Sequence, residues 1–125
     1  MRRDHEPPTA IGEWGWRFHH LGMPTTEQRE DEQYLPELGM YVSGFATSPY
    51  GVEWMRFDRD SPVSEIIQRM PHLAFEVDDL EAALEGKELL GPLSSPSEGV
   101  RVAMIMHHGM PIELLQFDPK IEPRR

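Results

Sequence analysis

Pro71-His72-Leu73-Ala74-Phe75-Glu76-Val77 is an apolar, strand-forming run led by a histidine, and the chain has already stated it once, as Phe18-His19-His20-Leu21-Gly22-Met23. Each run is followed by another in which a glutamate interrupts apolar residues. These are Gly51-Val52-Glu53-Trp54-Met55-Arg56-Phe57 in the first half and Pro111-Ile112-Glu113-Leu114-Leu115-Gln116-Phe117 in the second. Each half therefore opens on a strand with a His and closes on a strand with a Glu. Two His and two Glu in duplicated positions are what a divalent-metal site on a pseudo-twofold axis needs.

The segments between these runs complete two copies of one β-α-β-β-β unit. Alternation of period two puts Trp16, Phe18, His20 and Gly22 on one face of the opening strand, which is expected to begin near Trp14. Arg17, His19 and Leu21 take the other face, so His19 is expected at the surface. Thr25 to Glu37 is polar nearly throughout and lacks an apolar stripe, so the first unit's helix is expected to be degraded and its Glu27–Glu32 run solvated. A strand at Met40 to Phe45, a turn at Ser48-Pro49-Tyr50-Gly51 and a strand at Val52 to Phe57 close this half. A short helix ending at Arg69 should start with Ser61 as N-cap and Pro62 as its first residue, and Pro71 should stop it. In the second half Asp78-Asp79-Leu80-Glu81 reads as a capping box, with Asp78 as cap, before a helix with Leu80 and Leu84 on its apolar side. Pro92 to Gly99 is expected as a ragged edge strand. Val100–Met106 and Met110–Phe117 form a hairpin around His107-His108-Gly109.

The 125 residues make one domain, too small for two independent cores. The expected division is an arm over 1–13 and a domain over 14–120, built of modules 14–58 and 71–118. A net charge of −10 argues against nucleic acid or an anionic membrane as partner. The absence of Cys excludes disulfides, thiolate ligands and thiol nucleophiles. The charged, Pro-rich start reads as neither signal peptide nor anchor, and no run approaches the ~20 apolar residues of a membrane span. A cytoplasmic location is expected. Exposed sheet edges and an apolar outer face favour a homodimer.

The repeated layout, the His-apolar-Gly/Ala opening strand and the apolar-Glu-apolar-apolar closing strand resemble the vicinal oxygen chelate superfamily, which contains glyoxalase I, methylmalonyl-CoA epimerase, extradiol dioxygenases and bleomycin-binding proteins. The resemblance runs from about Trp14 to Phe117 and is strongest over His72–Asp79 and Val100–Phe117. It implies an α+β fold in which two βαβββ modules curve a mixed sheet around a cleft. It also implies a metal set of His20, Glu53, His72 and Glu113, a pattern similar to that of bacterial glyoxalase I.

Such N and O donors suit Zn, Ni, Co, Mn or Fe(II). Alternation places Glu113 with Leu115 and Phe117, and Glu53 with Met55 and Phe57, where a carboxylate is costly unless something compensates it. An ion would do so, leaving positions for a substrate with two adjacent oxygens. One carboxylate would serve as general base, Glu113 as first choice and Glu53 as second. The expected function is a metal-dependent, glyoxalase-like isomerase, lyase or epimerase acting on a small molecule. Two other readings stay open. One is a metal-free binder of drug-like ligands using Trp16, Phe18, Trp54 and Phe57. The other is an Fe(II) dioxygenase using His20, His72 and Glu113. Taken singly, Glu53 could pair with Arg56 and Glu113 with Arg101. His107 and His108 sit at a hairpin tip, within possible reach of substrate.

Overall fold

The computed structural model describes residues 4–120. Eight strands form one mixed sheet: β1 (Arg17–Pro24), β2 (Gln33–Leu35), β3 (Met40–Ser43), β4 (Val52–Phe57), β5 (His72–Glu76), β6 (Glu88–Leu89), β7 (Val100–His107) and β8 (Met110–Phe117). Their spatial order is β2-β3-β4-β1-β5-β8-β7-β6, curled into a half-barrel. β1 runs parallel to β4 and β5 parallel to β8, while β1 and β5 meet antiparallel at the centre. The order therefore reads the same outward from the β1/β5 seam in either direction, which is the pseudo-twofold that the duplicated sequence foretells.

The two faces of the sheet bury different things. On the convex face of the second module, Phe75, Val77, Ala103, Ile105 and Leu114 pack under Leu80, with Trp16 against them. In the sequence-order numbering used here α1 is Thr9–Gly12, α2 is Glu65–Arg69 and α3 is Leu80–Leu84. Leu80 is fully buried, which stabilises the fold by about 1.5–3 kcal/mol for such a side chain. On the concave face Ala74, Val100, Val102 and Leu115 gather beside Phe117. Among the described residues no helix is long and apolar enough to cross a membrane.

Several local expectations need correction. Residues 25–32 hold no helix at all. Glu32 is not merely solvated, because both its oxygens accept 2.8 Å hydrogen bonds from Arg56. α2 starts at Glu65 rather than Pro62; the Ser61 hydroxyl donates to the Leu38 carbonyl at 2.7 Å and accepts from the Val63 amide at 3.3 Å, but only a turn precedes Glu65. The cap of α3 is Asp79, which accepts from the Ala82 amide; Asp78 and Glu81 instead meet Arg17 and Arg101. The edge strand is Glu88–Leu89, and the 92–99 stretch contributes one bridge, Ser94 to Val102. β1 begins at Arg17, and β3 stops at Ser43, where Gly44 at φ +86° turns the chain into a 3₁₀ turn, Phe45–Thr47. The β7–β8 hairpin closes through His108 and Gly109, both at positive φ, as a two-residue turn of this kind requires.

The largest correction lies in β1. Phe18 pairs with Phe75 but His20 pairs with Ala74, so two steps on β1 match one on β5: a β-bulge. Paired residues point the same way and neighbours on β5 point oppositely. Phe18 therefore joins the convex face, in edge contact with Phe75, while His20 turns into the concave side. Strict alternation fails at that one residue.

Candidate metal centre

The register assembles the site in two rows. Gly22 of β1 lies between Glu53 of β4 and His72 of β5; Ala74 of β5 lies between His20 of β1 and Glu113 of β8. Each row is the pseudo-twofold image of the other, so four strands at the centre of the sheet supply four inward donors. His20 is 0 % exposed, His72 2 %, Glu53 6 % and Glu113 8 %. Gly22 and Ala74 are the hinge positions of this arrangement, and Gly22 has to be small. A methyl group added to Gly22 would collide with the imidazole of His72, whose ring lies across that glycine.

The donor atoms converge. His72 Nε2 is 3.0 Å from Glu113 Oε1, and His20 Nε2 lies 3.4 Å from the same oxygen and 3.6 Å from Glu53 Oε1. Donors sharing an ion at about 2.1 Å would stand about 3.0 Å apart in an octahedron and about 3.4 Å apart in a tetrahedron. The observed spacing is of that size. His20 Nε2 and His72 Nδ1 are buried without a hydrogen bond of good geometry, an expensive state for a polar nitrogen and one that coordination of His20 would relieve. The ligand atoms of His20, His72 and Glu113 lie mutually within 4.8 Å and can hold a metal ion. Glu53 reaches the group through His20 but stands outside that trio. Burial alone would raise the Glu113 carboxyl, but the two imidazoles beside it reverse the sign and hold it well below the ordinary carboxylate range.

The arginines weighed as ordinary partners are engaged elsewhere, Arg56 with Glu32 and Arg101 with Glu81. His19, expected at the surface, is instead part of the centre. The bulge swings its ring onto Phe45, stacked at 5.0 Å, and brings its Nδ1 to 2.8 Å from His20 Nδ1. One of two such nitrogens must carry the hydrogen. If His20 keeps Nε2 bare for an ion, its Nδ1 donates and His19 accepts, the outer-sphere arrangement that orients metal-ligating imidazoles. The doubled histidine was the available signal, and assumed alternation hid it.

The concave cleft in front of these donors has two chambers. One, of about 250 Å³, is lined by Asp31, Gln33, Ser43 and Thr47 among others; the second, of about 270 Å³, contains Glu53, His72 and Glu113 in its wall. Both chambers touch Glu53. Trp16, Phe18, Trp54 and Phe57, the aromatic set expected of a metal-free binder, line neither chamber, and His107 and His108 also lie outside them.

No protein-family model matches the chain, and no curated protein matches it. Solved structures do. A hypothetical protein, BH1468, from Bacillus halodurans C-125 superposes with a TM-score of 0.62 at 18 % identity, covering 86 % of this chain and 98 % of that one. Methylmalonyl-CoA epimerase from Mycobacterium tuberculosis superposes with a TM-score of 0.58 at 20 % identity, over 93 % and 95 % of the two chains. With its seam of paired modules and eight-stranded half-barrel, the chain has the fold of the vicinal oxygen chelate superfamily.

Proposed function

We propose that this protein is a divalent-metal-dependent enzyme that moves a proton on a small substrate bearing two adjacent oxygens, as an isomerase or epimerase does. The observation that carries the reading is the convergence of two buried imidazoles and two buried carboxylates at 3.0–3.6 Å on the wall of a cleft. The epimerase among the structures of like fold supports the same reaction class. His20, His72 and Glu113 would hold the ion, and their N and O donors suit Ni, Co, Zn, Mn or Fe(II). When bound, such an ion supplies Lewis-acid polarisation of the substrate oxygens.

The chain's own groups do the remaining work. Glu113, addressed by both imidazoles, is a ligand rather than the base. Glu53, outside the close trio and shared by both chambers, takes the proton from the carbon beside the oxygen pair and returns it.

Elemental mass spectrometry and solvent-deuterium exchange into a panel of 2-hydroxyketones and 2-oxo acids test the assignment together. Wild type should hold near-stoichiometric metal; His20→Ala and Glu113→Gln should lose it. Glu53→Gln should keep metal and lose exchange by about 10²-fold or more, the scale of a positioned general base. No metal after reconstitution with all five ions would end this reading.

One observation favours a second one. Two imidazoles and one carboxylate in mutual reach, with Glu53 apart, are also the donor set of Fe(II) oxygenases. Substrate-dependent oxygen uptake by the Fe(II)-loaded protein, absent with Zn or Ni, would choose it.

A further inference from the structure

We infer that the substrate of this site is a small molecule with an uncharged, apolar body, an aryl or branched alkyl group beside its oxygen pair, and that it is not a polyanionic carrier conjugate. The oxygen pair rests on the function proposed above; the body rests on the walls of the cleft. At about 270 Å³ the chamber in front of His72 and Glu113 is slightly smaller than the ~300–1,000 Å³ of pockets for drug-sized ligands. It accommodates one ring or a short branched chain. Away from the donors its wall is built from Met40, Met55, Ile67, Val102 and Met104 together with prolines and leucines. Three of the chain's eight methionines thus converge on one cavity. Their flexible, polarisable thioethers pack well against aromatic and irregular apolar groups.

The charges in the walls have one sign. Among the described residues no Lys or Arg lines either chamber, whereas Asp31, Glu37, Glu53 and Glu113 do. The chain as a whole carries −10. With the ion compensating Glu53 and Glu113 and Arg29 beside Asp31, a phosphate or a free carboxylate on the substrate body would still lose its water against Glu37 and an apolar wall, with no guanidinium or ammonium among the lining residues to receive it. An uncharged apolar body meets no such penalty and gains by leaving water. This separates the site from the substrate class in the name of the epimerase of like fold, a coenzyme A thioester.

The full chain is tested in two arms. In metal-free protein, ¹³C-methyl spectra of Met40, Met55 and Met104 are followed while neutral acetophenone or anionic benzoate, of similar size, is added. Acetophenone should shift these methyls at concentrations at least roughly 10-fold below benzoate. In Co- or Zn-loaded protein, benzohydroxamate should bind roughly 10-fold or more tightly than acetohydroxamate, as expected for burial of a phenyl group, and free coenzyme A should not displace it. Benzoate matching acetophenone at these methyls, or displacement by coenzyme A, overturns the inference. Failure to load metal, with the methyl shifts intact, overturns the proposed function and leaves the apolar occupant standing.

Discussion

The two modules share a strand order and contribute one His and one Glu each, yet they are backed by different physics. The second module lays α3 across its convex face and buries an apolar layer of Phe75, Leu80, Ile105 and Leu114. Among the described residues the first has no helix there. Its convex side is held by Arg56, bonded through two nitrogens to Glu32 and set 4.0 Å over the Tyr41 ring, with Arg29 over Trp54. The histidines differ in the same sense. His20 is followed outward by His19, which touches its Nδ1, whereas His72 is preceded by Pro71 and its Nδ1 has no hydrogen-bond partner. A duplicated frame can thus keep its donors in register while one copy relies on apolar burial and the other on directional polar contacts. The second module has the larger apolar layer, and the first sets a second imidazole against its own.

The contrast can be broken hardest at Leu80. Leu80→Ala should cost about 2–5 kcal/mol in urea unfolding, since the side chain is fully buried in the apolar layer; a loss near zero would mean that the helix does not anchor its module. The hinge positions come next. Gly22→Ala should push the His72 ring aside and weaken metal binding by about 10–100-fold in chelator competition, the range for disturbing a ligand's support. Ala74→Gly, its image across the seam, should leave affinity nearly unchanged and cost about 0.5–1 kcal/mol of stability. Equal effects of the two would erase the asymmetry.

His19 gives a finer test. ¹⁵N spectra of the Zn-loaded protein should show His20 with its hydrogen on Nδ1. His19→Phe, which keeps a ring to stack on Phe45 but accepts no hydrogen bond, should lose that preference and bind metal about 10–100-fold more weakly. His19→Gln, which retains an acceptor, should recover most of the affinity. If both variants bind as wild type does, His19 is only packing. The smallest effect is expected for Glu32→Gln. It should destabilise less than Leu80→Ala, because the amide keeps one of the two hydrogen bonds to Arg56, and since the pair is half-buried the deficit should respond only weakly to added salt.

How much of this was legible in the residues depended on the kind of information each feature needs. β4 was read with its observed bounds, and the β7–β8 hairpin with its turn, because alternation and Gly109 are local signals. That the chain would bring His20, Glu53, His72 and Glu113 to one place was legible from duplication. Caps were not: Asp78 and Asp79 are chemically alike, and Asp78 was drawn off by Arg17, a residue 61 positions away. The edge strand was misplaced for a similar reason, since Glu88 and Leu89 have no strand character of their own and pair only because β7 offers a free side at Met106 and Ile105.

The sequence by itself determined the two-module layout, the chemistry available and the absence of any thiol, since strand period and residue type are properties of the chain. Only the tertiary structure decided which way His19 faces, which carboxylate stands between both imidazoles and what walls the cleft. Those depend on a one-residue bulge in β1 and on the register across the β1/β5 seam. There a shift of one residue exchanges the two faces of a strand, and the local sequence does not record where that shift falls.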